Sequence, residues 1–577
     1  MRLFPVINEC RRSACPATNR TPCLLRSTLL PPVPVFVWPS TKTTAVELFV
    51  LFSLFEGSSD PLRNRKCEGS VQLSNWFTSC IYRFRVKIIC VTYFSAFTRD
   101  ANDFFVVVFR MGLVGALSGF LNTSEDGLRL LLSILAGYPL AAIYRTFVYN
   151  KSVRFQHLFF VVVGVALYLF NCGLAVYHSL LSIVIAYVLT NYIPGTNLSV
   201  ALAHIAFLGH LLVGYWNVES EKYDMNWTTP FCILTLRLIG LVMDVYDGQK
   251  SKEELKPDQE KTAIRDPPSL LEIAAFTFFF AGTFVGPQFS LSRFRSFVNG
   301  EFNDEKGEVR SSGLMVSLRR FVCGVIFAVL HQWGSVWIPN SYFNSQEFAD
   351  APFGWKIFWN TIWYRAVMYR YCTAWLFTEG AAILAGIGYN GKKDGEDQWN
   401  GVRDLHITGW ELGSDFTSCV ESFNVGTNTF AKNHIFRRLR GLGSKYLSHL
   451  TTLMYLAIWH GYHLGYFILF VYEFTAVMAQ EQLYSLIRRV PGAAEFLQKS
   501  YMRPLCWLFG RIIINISMAF GFLTFGLIKK EVWIGPVKSM YFYLYIFYFL
   551  VWPITYQVLN RVLPRKPKEA SSAKKTE

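Results

Sequence analysis

Two short stretches of this chain carry side chains able to do chemistry. The first is Leu456-Ala457-Ile458-Trp459-His460-Gly461-Tyr462-His463-Leu464-Gly465-Tyr466, where two histidines stand three residues apart in an apolar run. On a continuous helix that spacing places both rings on one face. Ionisable side chains in long apolar runs tend to face a bundle interior or a cavity, and an uncharged imidazole held there is suited to general-base work. The competing reading is a structural histidine donating to a backbone carbonyl, and for His463 that reading leads. For His460, Gly461 and Gly465 shift the balance, because each lets another backbone or a ligand come close. The second stretch, Ser422-Phe423-Asn424-Val425-Gly426-Thr427-Asn428-Thr429-Phe430, is polar and rich in amides. An Asn amide can donate to a developing oxyanion or hold a carbonyl in place. It leads into His434-Ile435-Phe436-Arg437-Arg438-Leu439-Arg440, a basic cluster that fits phosphate attraction and the cytoplasmic flank of a membrane span equally well.

Other chemistries lack their signatures. The chain has no G-x-S-x-G elbow, no H-E-x-x-H, no Walker A lysine and no histidine followed five residues later by aspartate. A literal G-x-G-x-x-G at Gly386–Gly391 follows an apolar helix and opens into KKDGEDQ, the wrong context for a dinucleotide. Of 12 cysteines, six (Cys10, Cys15, Cys23, Cys67, Cys80 and Cys90) lie near the start, and no C-x-x-C pair occurs, so neither a metal site nor a disulfide framework is expected.

The elements that must position these residues are membrane spans. The 577 residues are 52% hydrophobic, 17% aromatic and only 17% charged, against about 25% charged in soluble proteins, and the mean hydropathy is +0.27. The chain carries 56 Lys and Arg against 40 Asp and Glu, a net charge of +16. No stretch joins a dense basic stripe to a soluble aromatic platform, so the excess is read as span-flanking charge and not as a nucleic-acid surface. A span needs roughly 20 apolar residues. Candidate runs are Phe104–Leu121, Leu128–Phe147, Leu158–Tyr177, Ser179–Tyr192, Leu198–Trp216, Phe231–Val245, Leu270–Val285, Phe321–Ile338, Trp355–Gly388, Leu447–Phe474, Leu505–Leu527 and Met540–Leu559. Two of them are long enough to be tilted or to hold two segments, and about ten to twelve spans are expected. Between them, Tyr246–Pro268, Phe294–Arg320 and Tyr389–Lys445 are polar, and the last and longest leads into the run containing WHGYH. Residues 1–104, rich in Pro, Ser, Thr and Cys, form an N-terminal extension without an assigned role. The tail over 561–577 is basic and expected in the cytoplasm.

A polar segment with Asn424, then His460 in an apolar run 36 residues later (460 − 424), resembles the membrane-bound O-acyltransferase (MBOAT) family. Within it the resemblance is to the lysophosphatidylcholine acyltransferase type 3 branch. It is carried by LRLLLSILAGYPLAAIYR (128–145), YDMNWTTPFCILTLRLIGLVMDVYDG (223–248), PSLLEIAAFTFFFAGTFVGPQFS (268–290), WLFTEGAAILAGIGYNG (375–391), SFNVGTNTFAKNHIFRRLRGLG (422–443) and LAIWHGYHLGY (456–466). It covers roughly residues 105 to 577, of which 105–560 is the expected acyltransferase domain. The ending Lys574-Lys575-Thr576-Glu577 fits the branch too, as a dilysine address for the endoplasmic reticulum.

The resemblance implies an all-α polytopic bundle with an internal tunnel, His460 and Asn424 as catalytic residues, and Asn428 as the alternative asparagine. Trp459, Glu379 and His463 would line the substrate pocket. Asp244 and Asp247 lie in a matched segment, with a helix-end cap and turn as an equally good reading. The implied reaction moves an acyl chain from acyl-CoA, a co-substrate, to the free hydroxyl of a lysophospholipid drawn from the bilayer, without a resident cofactor or metal. Two alternatives stand beside it: a protein O-acyltransferase of the same family, and a transporter using the histidine as an ion relay.

Overall fold

Apolar runs closed off by a serine become helices here. The Ser124 hydroxyl accepts from the Gly127 N–H at 3.2 Å, Ser152 from Phe155 at 3.4 Å and Ser444 from Leu447 at 3.3 Å, each satisfying an otherwise orphaned first-turn donor. The structure, a computed structural model, describes residues 113–120, 123–218 and 226–564. The expected N-terminal extension and the KKTE ending lie outside the described residues.

The first helices are α1 (Leu113–Phe120), α2 (Glu125–Ile143), α3 (Val153–Cys172), α4 (Val176–Asn191), α5 (Asn197–Asn217) and α6 (Thr228–Gly248). Of the apolar stretch of α6, 83% is buried inside protein, against 22% for the run Val153–Asn191. Helix α6 is therefore an inner element, while α3 and α4 turn apolar side chains outward. Then follow α7 (Leu270–Thr277), α8 (Leu291–Val298), α9 (Ser312–Trp337) and α10 (Phe353–Ala385), of which α10 packs against α9 and α2. Gly386, at φ +113°, ends α10, and a two-residue hairpin (Lys392–Lys393 with Glu396–Asp397) comes next, so the literal G-x-G-x-x-G is a helix stop. The remaining main helices are α11 (Phe416–Ser422), α12 (Val425–Phe430), α13 (Lys445–His460), α14 (Leu464–Ile487), α15 (Met502–Gly526), α16 (Lys530–Ser539) and α17 (Trp552–Val562).

Among the described residues, 6 helical runs are long and apolar enough to cross a membrane, or 7 with the pair Lys530–Ser539 and Tyr543–Val562, bent by 77°. One expected span takes a different form, and one long run holds two segments, as its length allows. Leu270–Val285 yields only the 8-residue α7, about 12 Å long at 1.5 Å per residue. The chain then turns through Phe278–Ser290 inside the protein, where Phe278, Phe279, Phe280, Ala281 and Phe284 are all buried. Leu447–Phe474 breaks at Gly461 into α13 and α14.

The segment after α7 lacks helical hydrogen bonds, and its carbonyls cannot be left bare in a dry interior. Arg237 of α6 supplies the donors. Its guanidinium donates to the carbonyls of Phe276 (3.2 Å), Gly282 (2.8 Å) and Pro287 (3.0 Å) and to Oε1 of Gln288 (3.3 Å), and it lies 4.7 Å over the Phe289 ring. The Gln288 amide donates in turn to the Ile233 carbonyl at 2.8 Å. Replacing Arg237 with Leu orphans these carbonyls at about 1–3 kcal/mol apiece. The Arg237→Leu protein is expected to melt well below wild type in detergent micelles, with early hydrogen exchange across 276–288. An unchanged melting temperature would rule out this bracing role.

Candidate active site

Trp459 and His460 end α13. The indole N–H of Trp459 donates to the Cys232 carbonyl at 2.9 Å, tying the end of α13 to α6. Gly461, at φ +124°, takes a conformation L side chains rarely adopt, and so breaks the apolar run here. A Cβ on Gly465 would overlap the Thr524 carbonyl, so glycine also lets α14 lie directly on α15. Because of the break, His460 and His463 do not share a helix face: His460 closes α13, and His463 occupies the cap position of α14. The His460 ring is 2% exposed. It sits 4.0 Å from the Trp459 ring, near-parallel to Phe470 at 6.2 Å and edge-on to Phe525 at 6.5 Å.

Asn424 stands between α11 and α12 at φ +50°, ψ +47°. That left-handed conformation is one asparagine tolerates better than most residues. Asp404, on the long polar segment, holds the turn. Its carboxylate accepts from the Gly426 N–H at 2.8 Å and its carbonyl from the Val425 N–H at 3.1 Å. Next to it, the His406 N–H donates to the Ser422 carbonyl at 2.8 Å. Asn428 braces the same turn from the other side, its amide donating to the carbonyls of Val420 and Phe423, both at 2.8 Å.

One cavity of about 200 Å³ has both Asn424 and His460 in its wall. Trp459 lines it too, with Cys232 and Ile233 of α6, Phe284 and Val285 of the irregular segment, and aromatic side chains from α10, α11 and α15. A mostly apolar chamber with an imidazole and an amide suits a long hydrocarbon whose reactive end must be held and deprotonated or polarised.

The family model for membrane-bound O-acyltransferases matches residues 212–523, which include all of this chamber's lining residues except Phe525. A Caenorhabditis elegans protein named lysophospholipid acyltransferase 5 is 59% identical over 468 residues, 81% of this chain and 99% of that protein. Its Bos taurus namesake is 36% identical over 453 residues, 78% and 93% of the two chains. A Schizosaccharomyces pombe lysophospholipid acyltransferase is 26% identical over 449 residues, 74% and 86%. The chain belongs to the membrane-bound O-acyltransferase family.

In this O-acyltransferase, three residues expected near substrate are not among the residues of this cavity's wall. Glu379 is outside the cavity wall; fully buried, it pairs with Arg320 at 3.1 Å and Arg403 at 3.6 Å, joining α9 and α10 to the polar segment that carries Asp404. His463 is buried against Tyr466, with ring centres 5.3 Å apart, and does not line the cavity. Asn428 is spent on the turn beneath Asn424. The basic cluster is an ionic clasp. Arg438 pairs with Asp247 at 2.6 Å, His434 with Asp244 at 2.9 Å, and Arg437 with Asp258. Thr262 and Gln259 also donate to Asp244 and Asp247, so both aspartates fasten the Tyr246–Pro268 segment to α6. Sequence reading missed Glu473, a buried carboxyl of α14 on the cavity wall, although an acid within VYEFTAV was a visible signal. It also missed Asp404 and Arg237, whose roles depend on contacts distant in sequence. Among the described residues, no group of three or more His, Cys, Asp and Glu is placed to hold a metal.

Burial pushes the Asp404 carboxyl up to about 7, against the opposing pull of the Gly426 N–H. An acid raised on folding holds its proton more tightly in the folded chain, so its stabilising effect is complete below its unfolded value, about 3.9, and is lost as pH rises to about 7. Asn at this position keeps an acceptor for Gly426 and cannot titrate. Asp404→Asn is therefore expected to flatten the decline of melting temperature between about pH 4 and pH 7. Identical pH profiles for the two proteins would contradict this.

Proposed function

We propose that this O-acyltransferase transfers a fatty acyl chain from acyl-CoA to the free hydroxyl of a lysophospholipid, with lysophosphatidylcholine as acceptor, in phospholipid remodelling. The observation that carries the reading is the single apolar cavity bearing Asn424 and His460, in a chain whose relatives are named lysophospholipid acyltransferases. A ring nitrogen of His460 takes the proton of the glycerol hydroxyl as its oxygen attacks the thioester carbonyl. The Asn424 amide donates to the oxygen on which negative charge develops. The C–S bond then breaks, and the CoA thiolate leaves with the proton returned by His460. The ester bond forms in one displacement, so the enzyme needs neither an acyl-enzyme intermediate nor a resident cofactor. The dense aromatic wall keeps water from the thioester, which it would otherwise hydrolyse. The same reading places the enzyme in the endoplasmic reticulum membrane.

Membranes carrying the wild-type chain should release CoA thiol and form diacyl phospholipid when given a panel of lysolipids and acyl-CoAs. His460→Ala should abolish both. Losing one oxyanion donor lowers kcat by about 10²–10³, and Asn424→Ala should fall in that range while remaining folded, its melting temperature lowered only by the strain of alanine in the left-handed conformation. Near-normal turnover by a folded Asn424→Ala protein would remove the proposed role. Acyl transfer to peptide in place of lysolipid would select the protein-acylating alternative.

A further inference from the structure

A second cavity, of about 380 Å³, adjoins the first: Tyr371 and Phe525 line both. The Phe525 ring is 6.5 Å from that of His460, so a single aromatic layer separates the two spaces. Their chemistry differs. The second cavity is lined by His331, Ser335, Asn340 and Arg370, and no carboxylate is among its wall residues. The Arg370 guanidinium donates to the Tyr371 hydroxyl at 3.0 Å and lies 5.0 Å over that ring, which sets the cation on the shared wall.

The place of this cavity in the bundle matters as much as its lining. Gly334, Ser335, Ile338 and Pro339 come from the end of α9. There Trp333 and Trp337 stand 57% and 65% exposed, packed edge to face with ring centres 5.0 Å apart. Exposed tryptophans at the end of an apolar span mark the membrane–water interface, the level at which a phospholipid carries its phosphate. A fixed cation in a hollow of mixed polar and apolar lining at that depth is suited to a phosphate monoanion.

We propose that this second cavity receives the phosphate-bearing headgroup of the acceptor lipid, with Arg370 as its charge partner, so that the glycerol hydroxyl reaches His460 past Phe525 and Tyr371. The inference rests on the lysophospholipid reading above and adds to it the site that holds the acceptor. Arg370 is a positioning residue: it acts on where the hydroxyl sits and exchanges no proton. The phosphates of CoA offer the same chemistry, and kinetics with each substrate varied in turn distinguish the two sources.

The experiment uses purified full-length protein in lipid nanodiscs, with lysophosphatidylcholine and an acyl-CoA titrated separately. Arg370→Gln is expected to raise the KM for lysophosphatidylcholine at least tenfold and to move the KM for acyl-CoA less than threefold. Arg370→Lys should recover part of the loss, because it restores charge without the planar fork. Ser335→Phe narrows the cavity, leaves the guanidinium in place and should raise the same KM; it carries the test alone if Arg370→Gln fails to fold. The proposal is overturned if the acyl-CoA KM rises in its place, if both KM values rise together, or if neither moves in a folded variant. A wild-type protein that acylates no lysophospholipid defeats the proposed function itself, which is a separate result.

Discussion

Non-helical backbone in a dry interior must find every hydrogen bond away from water, and the chamber of this protein is built where two such segments meet. One is the stretch after α7, whose carbonyls converge on Arg237. The other is the Asn424 turn, whose N–H groups converge on Asp404. Neither anchor touches the site by charge alone. Each satisfies several backbone groups, and the chain can leave the helical ladder only where such a multiple partner waits. The first anchor also reaches the end of α13. Arg237 reaches Gln288, and Gln288 donates to Ile233 on the cavity wall, one residue beyond the Cys232 carbonyl that holds Trp459. The position of His460 relative to Asn424 thus follows from backbone satisfaction in segments far apart in sequence.

This explains which parts of the site could be read in advance. His460 was legible because a titratable ring in an apolar run needs a reason to be there, and its neighbours Gly461 and Gly465 pointed to close approach. The all-α membrane architecture was legible from the scarcity of charge. Asn424 was preferred to Asn428 through the family resemblance alone, because both are amides in one polar motif. Backbone geometry separates them: Asn424 takes the left-handed conformation on the cavity wall, and Asn428 spends its amide on two carbonyls below. The helix break at Gly461 was hidden for a related reason. A glycine in an apolar stretch fits a continuing helix as well as a stop, so a three-residue spacing reads as one face when it is in fact a corner. Leu270–Val285 misled through composition, since a run apolar enough to span a bilayer is equally apolar when it coils up inside protein. Partners for Glu379, Arg437 and Arg438 come from other helices and loops, which no local pattern announces.

Charge in this molecule is divided between fastening and presentation. At the Asp244–Asp247 end of α6, His434, Arg437 and Arg438 are matched by three aspartates. What these pairs contribute is position. That position matters to the chemistry because α12, which follows Asn424, ends only a few residues before His434. The turn is therefore held at two points, by Asp404 beneath it and by the ionic clasp beyond it. Helix α6 closes the frame, since its first turns supply Cys232 and Ile233 to the chamber while its last turn supplies Asp244 and Asp247 to the clasp. A shift at the clasp would reach the chamber along α6 or along α12. The basic run that reads in sequence equally as a phosphate attractor and as a cytoplasmic flank thus fastens, once folded, the far ends of the two elements that lead to Cys232 and Asn424.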